Sequence, residues 1–321
     1  MRAVLAAVLC LLPAAAPAVA EVRPAKAAIR YAVVQVCKEK ACGGLRLVLR
    51  GGGTVRVPDR PLVEGWVPIA LSAGAVAYFR AKDRRLVIHR LDGRRVVTRV
   101  VKGRPGPGAD ITRLLLSADG TRLSYTSMAG DGPVTVYDAR SGARLGRLPD
   151  DMDAHLVGFS PDGDQVLMTG QENVRELLVY DVRGRRVVRD VPPQVVGFNL
   201  PQAFNSVDQS EAAALSADGR TVAVYVPGRR PRVALYDLES RKVSREVPLA
   251  KGFAPTAAAW TEPGAVTFRV DEGKVTRLLR VDLETGQSTV ADSYPNGTGG
   301  LSGVMTAEEA RGGPLTAHRI G

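Results

Sequence analysis

The sequence predicts an all-β fold, a β-propeller of four-stranded blades, on three observations. The first is a recurring element: L-S-A-D-G-T-R-L at 116–123, F-S-P-D-G-D-Q-V at 159–166 and L-S-A-D-G-R-T-V at 215–222, with weaker copies from Leu71 and Trp260. Its Ser or Thr stands at 72, 117, 160, 216 and 261, spaced 45, 43, 56 and 45 residues apart, a period suited to propeller blades. The second is a companion element in phase with it: V-Y-D-A-R-S-G at 136–142, V-Y-D-V-R-G at 179–184, L-Y-D-L-E-S at 235–240 and V-D-L-E-T-G at 281–286. Asp bonds backbone two residues on and Gly accepts positive φ, so both elements read as tight turns. The third is what lies between them: short runs rich in Val, Leu, Tyr and Thr, bounded by Gly, Pro and Asp, which read as strands.

Taken in order along the 321 residues, the chain opens with a targeting segment. Arg2, an apolar stretch at 3–12 and A-V-A at 18–20 form the three parts of a signal peptide, so residues 1–20 are expected to be removed and the mature protein exported. Leu9 before Cys10 argues against lipid attachment. Residues 21–29 form a short lead, and 30–321 a single propeller domain. Cys37 and Cys42 are the two cysteines left after processing, an even number suited to an oxidising compartment, and they are expected to bridge the tip of a hairpin.

Segment 30–58 matches only the later strands of a blade, since L-V-L-R-G-G-G at 47–53 aligns with the V-I-H-R-L-D-G segment around Val87. Five complete blades then begin near Val67, Ile111, His155, Ala212 and Ala257, and 300–305 reads as a first strand without successors. Pairing the two ends completes a sixth blade and removes open sheet edges. Six blades are preferred; residues 306–321 leave room for part of a seventh.

These S-x-D-G and Y-D-x-x-S/T-G elements resemble those of TolB-like and other bacterial WD-repeat-like propellers, from about residue 30 to 305. The sequence departs from eukaryotic WD repeats in having no G-H pair and in carrying Tyr-Asp or Val-Asp for Trp-Asp. The resemblance implies a rigid disc that serves as a protein-interaction or ligand-binding platform. It specifies fold far better than function, because propellers host binding modules and enzymes alike.

No nucleophile elbow, P-loop, dinucleotide fingerprint or H-E-x-x-H pattern is present. The three His, at 89, 155 and 318, are dispersed. A non-catalytic exported platform is therefore the leading reading and no cofactor is expected. The alternative is a propeller-type hydrolase or lyase whose site is assembled from scattered residues. The one cofactor-like feature is Asp150, Asp151 and Asp153 ahead of His155, a group able to offer a divalent cation several oxygens.

The face carrying the d-to-a and b-to-c connections is the expected binding surface. It holds the apolar insertion at 191–210, with Phe198, Leu200 and Phe204, whose exposure is costly unless it meets the disc or a ligand. It also holds Arg84, Arg85, Arg104, Arg229, Arg230 and Arg232, whose guanidinium forks suit carboxylate or phosphate. Net charge is +11, with 36 Arg among 44 basic residues spread without a dense run. Partners are therefore expected to be a protein or an anionic envelope component, the mature chain a monomer without a membrane span. Two Trp, eight Tyr and six Phe offer few stacking platforms, which disfavours nucleic acid.

Overall fold

The structure, a computed structural model, describes residues 28–37, 40–41, 44–62, 69–92, 95–102, 112–127, 134–147, 154–170, 177–184, 186–191, 212–272, 275–295 and 301–306. These form six antiparallel sheets and no helix. The first sheet holds β5 (Ile69–Leu71), β6 (Ala75–Phe79), β7 (Arg85–Arg90) and β8 (Arg95–Lys102). The second holds β9 (Thr112–Leu116), β10 (Arg122–Ser127), β11 (Thr135–Asp138) and β12 (Arg144–Arg147). The third holds β13 (Ala154–Phe159), β14 (Gln165–Gly170), β15 (Leu177–Asp181) and β16 (Arg186–Val191). The fourth holds β17 (Ala213–Leu215), β18 (Thr221–Val226), β19 (Arg232–Asp237) and β20 (Lys242–Pro248). The fifth holds β21 (Ala257–Glu262), β22 (Ala265–Glu272), β23 (Val275–Asp282) and β24 (Ser288–Pro295).

The sixth sheet joins both ends of the described chain. β25 (Leu301–Thr306) pairs with β1 (Ile29–Cys37), from Gln35 opposite Leu301 to Tyr31 opposite Thr306. β1 continues to β3 (Arg46–Leu49) and β4 (Thr54–Arg56), while β2 (Lys40–Ala41) folds back on the end of β1. The late segment thus supplies the first strand that the early segment lacks. Strand β5 adjoins β9, β9 adjoins β13, β13 adjoins β17 and β17 adjoins β21, so neighbouring sheets meet along their first strands. β25 and β1 adjoin β5 on one side. On the other, Tyr31 stacks on Tyr294 of β24 at 5.7 Å and Arg30 Nε donates to Asp292 at 2.9 Å. Of residues 306–321, which leave room for part of a seventh blade beside the preferred six, 307–321 lie outside the described residues, as does Cys42.

The repeated motif owes its residues to a buried hydroxyl. Ser117 Oγ donates to Asp119 at 2.6 Å and accepts from the Arg122 N–H at 2.9 Å. Ser160 does the same with Asp162 (2.5 Å) and the Gln165 N–H (3.0 Å), and Ser216 with Asp218 (2.6 Å) and the Thr221 N–H (2.9 Å). All three serines are buried. A buried hydroxyl must find partners inside the fold, and a turn with Asp two residues on supplies them. In the second motif Asp138 accepts from the N–H groups of Arg140 (2.9 Å) and Ser141 (2.8 Å), and Asp282 from those of Glu284 (3.0 Å) and Thr285 (2.8 Å). The next residue locks the two turns together: Ala139, Val182 and Leu238 send their N–H groups to the carbonyls of Thr121, Asp164 and Arg220. Those three side chains are buried.

Contact between sheets explains two further glycines. Gly163 has φ +74, and a Cβ there would lie 3.1 Å from the Cβ of Ser117 in the preceding sheet. Gly146 in β12 leaves room for the fully buried Tyr180 of β15; a Cβ there would come within 3.1 Å of the Tyr180 ring. The core is therefore the stack of sheet faces, with every residue of β5 and β17 buried. Fully burying one apolar side chain of these faces, such as Leu71 of β5, is worth about 1.5–3 kcal/mol relative to leaving it in water.

Candidate functional site

The strand order sets the two ends of the disc. Turns from first to second and from third to fourth strand share one end, and the motif Ser and Asp side chains are used up there. Hydrogen bonds from Ser216 and from the Arg220 N–H hold the Asp218 carboxyl below its ordinary value against the penalty of burial. At Asp119 burial is the largest influence and pushes the carboxyl up, but bonds from Ser117 and Thr121 outweigh it and leave it lowered. Such carboxylates are turn parts held ionised, not spare ligands.

The opposite end carries the second-to-third and fourth-to-first connections. In the first sheet Arg80, buried at the end of β6, donates from Nε to Asp83 at 2.8 Å. That bond with the Arg80 guanidinium, above all, holds the Asp83 carboxyl down to about 2. Tyr78 Oη donates to Asp59 at 3.4 Å, tying the strand to the incoming connection. In the fifth sheet Arg269, 3% exposed, donates to Asp271 at 3.1 Å, and Asp271 also accepts from Thr276 (2.5 Å) and Thr256 (3.3 Å). A guanidinium this buried is tolerable only with such pairing. Both clusters pin one connection to its neighbour and leave neither buried guanidinium spare.

Of the residues expected at this surface, five arginines lie among the described residues, and the structure separates them. Arg84 and Arg85 belong to the first sheet, Arg229, Arg230 and Arg232 to the fourth, three sheets along. Two correct the loop placement: Arg85 opens β7 and Arg232 opens β19, as strand residues. Arg85 Nε lies 3.7 Å from Asp83, and Arg232 Nε 2.8 Å from Glu246 of β20. Arg84 takes a left-handed conformation, φ 55°, which closes the turn into β7. Arg229 and Arg230 remain: exposed, at the tip of the connection between β18 and β19, with no acidic partner among the described residues. Pro227 and Pro231 bound that connection and fix φ at both ends. The adjacent connection from β20 to β21 presents exposed Lys251, which the sequence did not single out because a lone Lys in a loop carries no pattern. That connection is anchored by buried Phe253, whose carbonyl accepts from Tyr225.

Arg104, Phe198, Leu200, Phe204, Asp150, Asp151 and Asp153 lie outside the described residues. Among the described residues no three His, Cys, Asp or Glu side chains gather as a metal site, and no helix is long and apolar enough to cross a membrane.

No family model matches the chain, and no curated protein matches it either. Among solved structures it is similar to TolB from Acinetobacter baumannii, at 20% identity over 86% of this chain and 66% of that one, with a TM-score of 0.49. This chain thus spans just under two thirds of that protein. It is similar also to a putative TolB from Agrobacterium tumefaciens, at 11% identity over 84% and 90% of the two chains, TM-score 0.48. A third similarity is to a chain of a nidogen/laminin complex, at 11% identity over 83% and 92%, TM-score 0.49. The fold class expected from the repeats, all-β with four-stranded propeller-type sheets, is the one the strand pairing shows.

Proposed function

We propose that this protein is an exported, non-catalytic propeller that binds a protein or an anionic component of the cell envelope through the end of the disc carrying the β18–β19 and β20–β21 connections. Arg229 and Arg230 carry the reading: two exposed guanidinium groups held on a proline-bounded loop beside Lys251, at an end where the buried arginines Arg80 and Arg269 are already neutralised. Three unneutralised cations on short connections meet an anionic group at little ordering cost. The insertion at 191–210 leads into β17 of the same sheet, so Phe204 and its neighbours extend this surface in the proposed reading. Export is supported by the signal-peptide pattern at 1–20 and by the cysteine count.

The test compares residues 21–321 with the Arg229→Ala/Arg230→Ala double variant for binding to vesicles with and without anionic lipid and for capture from envelope extract. The double variant should lose at least about tenfold in affinity at unchanged melting temperature. Arg140→Ala with Arg220→Ala, on turns of the opposite end, should lose little. Equal losses at both ends, or none at either, sink the reading.

A further inference from the structure

The outer hairpin of the sixth sheet holds a like-charge pair that no acidic side chain among the described residues neutralises. Arg46 of β3 stands directly opposite Arg56 of β4. The Val57 N–H bonds the Leu45 carbonyl at 2.8 Å and the Leu49 N–H the Gly53 carbonyl at 3.2 Å. Bonded pairs alternate along an antiparallel ladder, so Arg46 and Arg56 form a non-bonded pair, the closer of the two kinds, with Cα atoms about 4.5 Å apart. Both side chains are exposed, and like charges so placed repel. Arg56 turns aside over Gly44, where a Cβ would lie 3.3 Å from its Nε. Three arginines of third strands have an acid to hand: Arg232 has Glu246, Arg277 has Glu272 and Arg280 has Glu262. Among the described residues Arg46 and Arg56 have none.

The same alternation fixes where the main chain is open. A residue in a non-bonded pair points its N–H and C=O away from its partner, so Thr54 and Arg56 direct theirs outward from β4. β4 has no second neighbour among the described strands. A strand added there would place opposite Arg56 a residue that both bonds its backbone and sets its side chain on the arginine face. Two residues along, the position opposite Thr54 does the same.

We propose that the Arg46–Arg56 face and the open edge of β4 form a docking site for an extended acidic segment of a partner protein, with carboxylates at alternate positions. A carboxylate opposite Arg56 pairs with that guanidinium directly and offsets its repulsion from Arg46 one strand further in, and the edge supplies main-chain bonds in register with it. A free phosphate would satisfy the charges and leave the edge unused. The alternating pattern is what distinguishes a strand from an ion here.

The probe is a labelled, end-blocked Thr-Glu-Val-Glu-Val-Glu-Thr peptide, titrated against residues 21–321 by fluorescence anisotropy. Its Gln counterpart removes charge, and a version N-methylated at the Glu residues keeps charge but removes the main-chain donors. The Glu peptide should bind at least about tenfold tighter than either. Arg56→Gln should weaken it by about as much and Arg46→Gln by less, while Arg229→Ala/Arg230→Ala leaves it unchanged, which separates this site from the one proposed above. Arg46→Glu supplies an internal partner for Arg56; it should abolish binding and melt no lower than the wild type, showing that the loss is not unfolding. The proposal is overturned by no binding of the Glu peptide, by equal binding of Glu and Gln peptides, or by indifference to Arg46 and Arg56. It is equally overturned if the methylated peptide binds as well and inorganic phosphate displaces it, which would assign the pair to a simple oxyanion. Self-association that Arg46→Glu abolishes would assign the edge to a second copy.

Discussion

Arg241 shows how far a single backbone position can depart from its repeat. It occupies, at φ 56°, the turn position held by Gly142 and Gly286 in the second and fifth sheets, at φ 74° and 75°. A left-handed residue other than glycine costs about 1–2 kcal/mol, and glycine loses about 0.5–1 kcal/mol of chain entropy on folding. Arg241→Gly should therefore stabilise by about 0.5–1 kcal/mol, read as a higher denaturant midpoint at unchanged slope. Asp83 makes a pH-dependent contribution. Its bond with Arg80 lowers the folded-state carboxyl to about 2, against about 3.9 in the unfolded chain. The bond's stabilisation is thus complete above about pH 4 and lost as pH falls through the folded value. Wild type should melt higher than Asp83→Asn at pH 6, and the gap should close towards pH 2; a gap constant from pH 6 to 2 would remove Asp83 as its source.

Between neighbouring sheets the fit is steric as much as hydrophobic. Gly146→Ala would push a methyl into the Tyr180 ring, and overpacking of this kind costs about 1–3 kcal/mol. The thermal midpoint should fall, and Tyr180→Phe in the same background should recover part of the loss by withdrawing the hydroxyl. Full stability of Gly146→Ala alone would show that the third sheet has room to retreat. The strands themselves were legible because both turns are written in local chemistry: Ser117 with Asp119, and Asp138 with Ser141, bond within a few residues. The Tyr180–Gly146 contact was not legible, since it joins residues of two sheets and glycine in a strand carries no label of what approaches it. The same limit governs the binding surface. The repeats already set Arg84 and Arg230 three blades apart, but only the pairing partner of Arg232 reveals that its charge is spent.

At the scale of the whole molecule, the sixth sheet depends on strands from opposite ends of the described chain. Removing residues 301–321 takes away β25, uncovers the bonding edge of β1 along 31–35, and should lower the melting temperature by several degrees with new binding of a hydrophobic dye. An unchanged melt would mean that β1 holds its place through Arg30, Tyr31 and β3 alone. The pairing also puts a clock on assembly. β1 leaves the ribosome roughly 260 residues ahead of β25, an interval of some tens of seconds at about 5–20 residues per second. Until β25 is available the earliest strand has its inner edge unsatisfied, whatever the order in which the five intervening sheets form. A nascent chain in that condition is a natural client for a holding chaperone, and a premature stop between Pro295 and Leu301 yields a product that is nearly all present yet lacks its last seam.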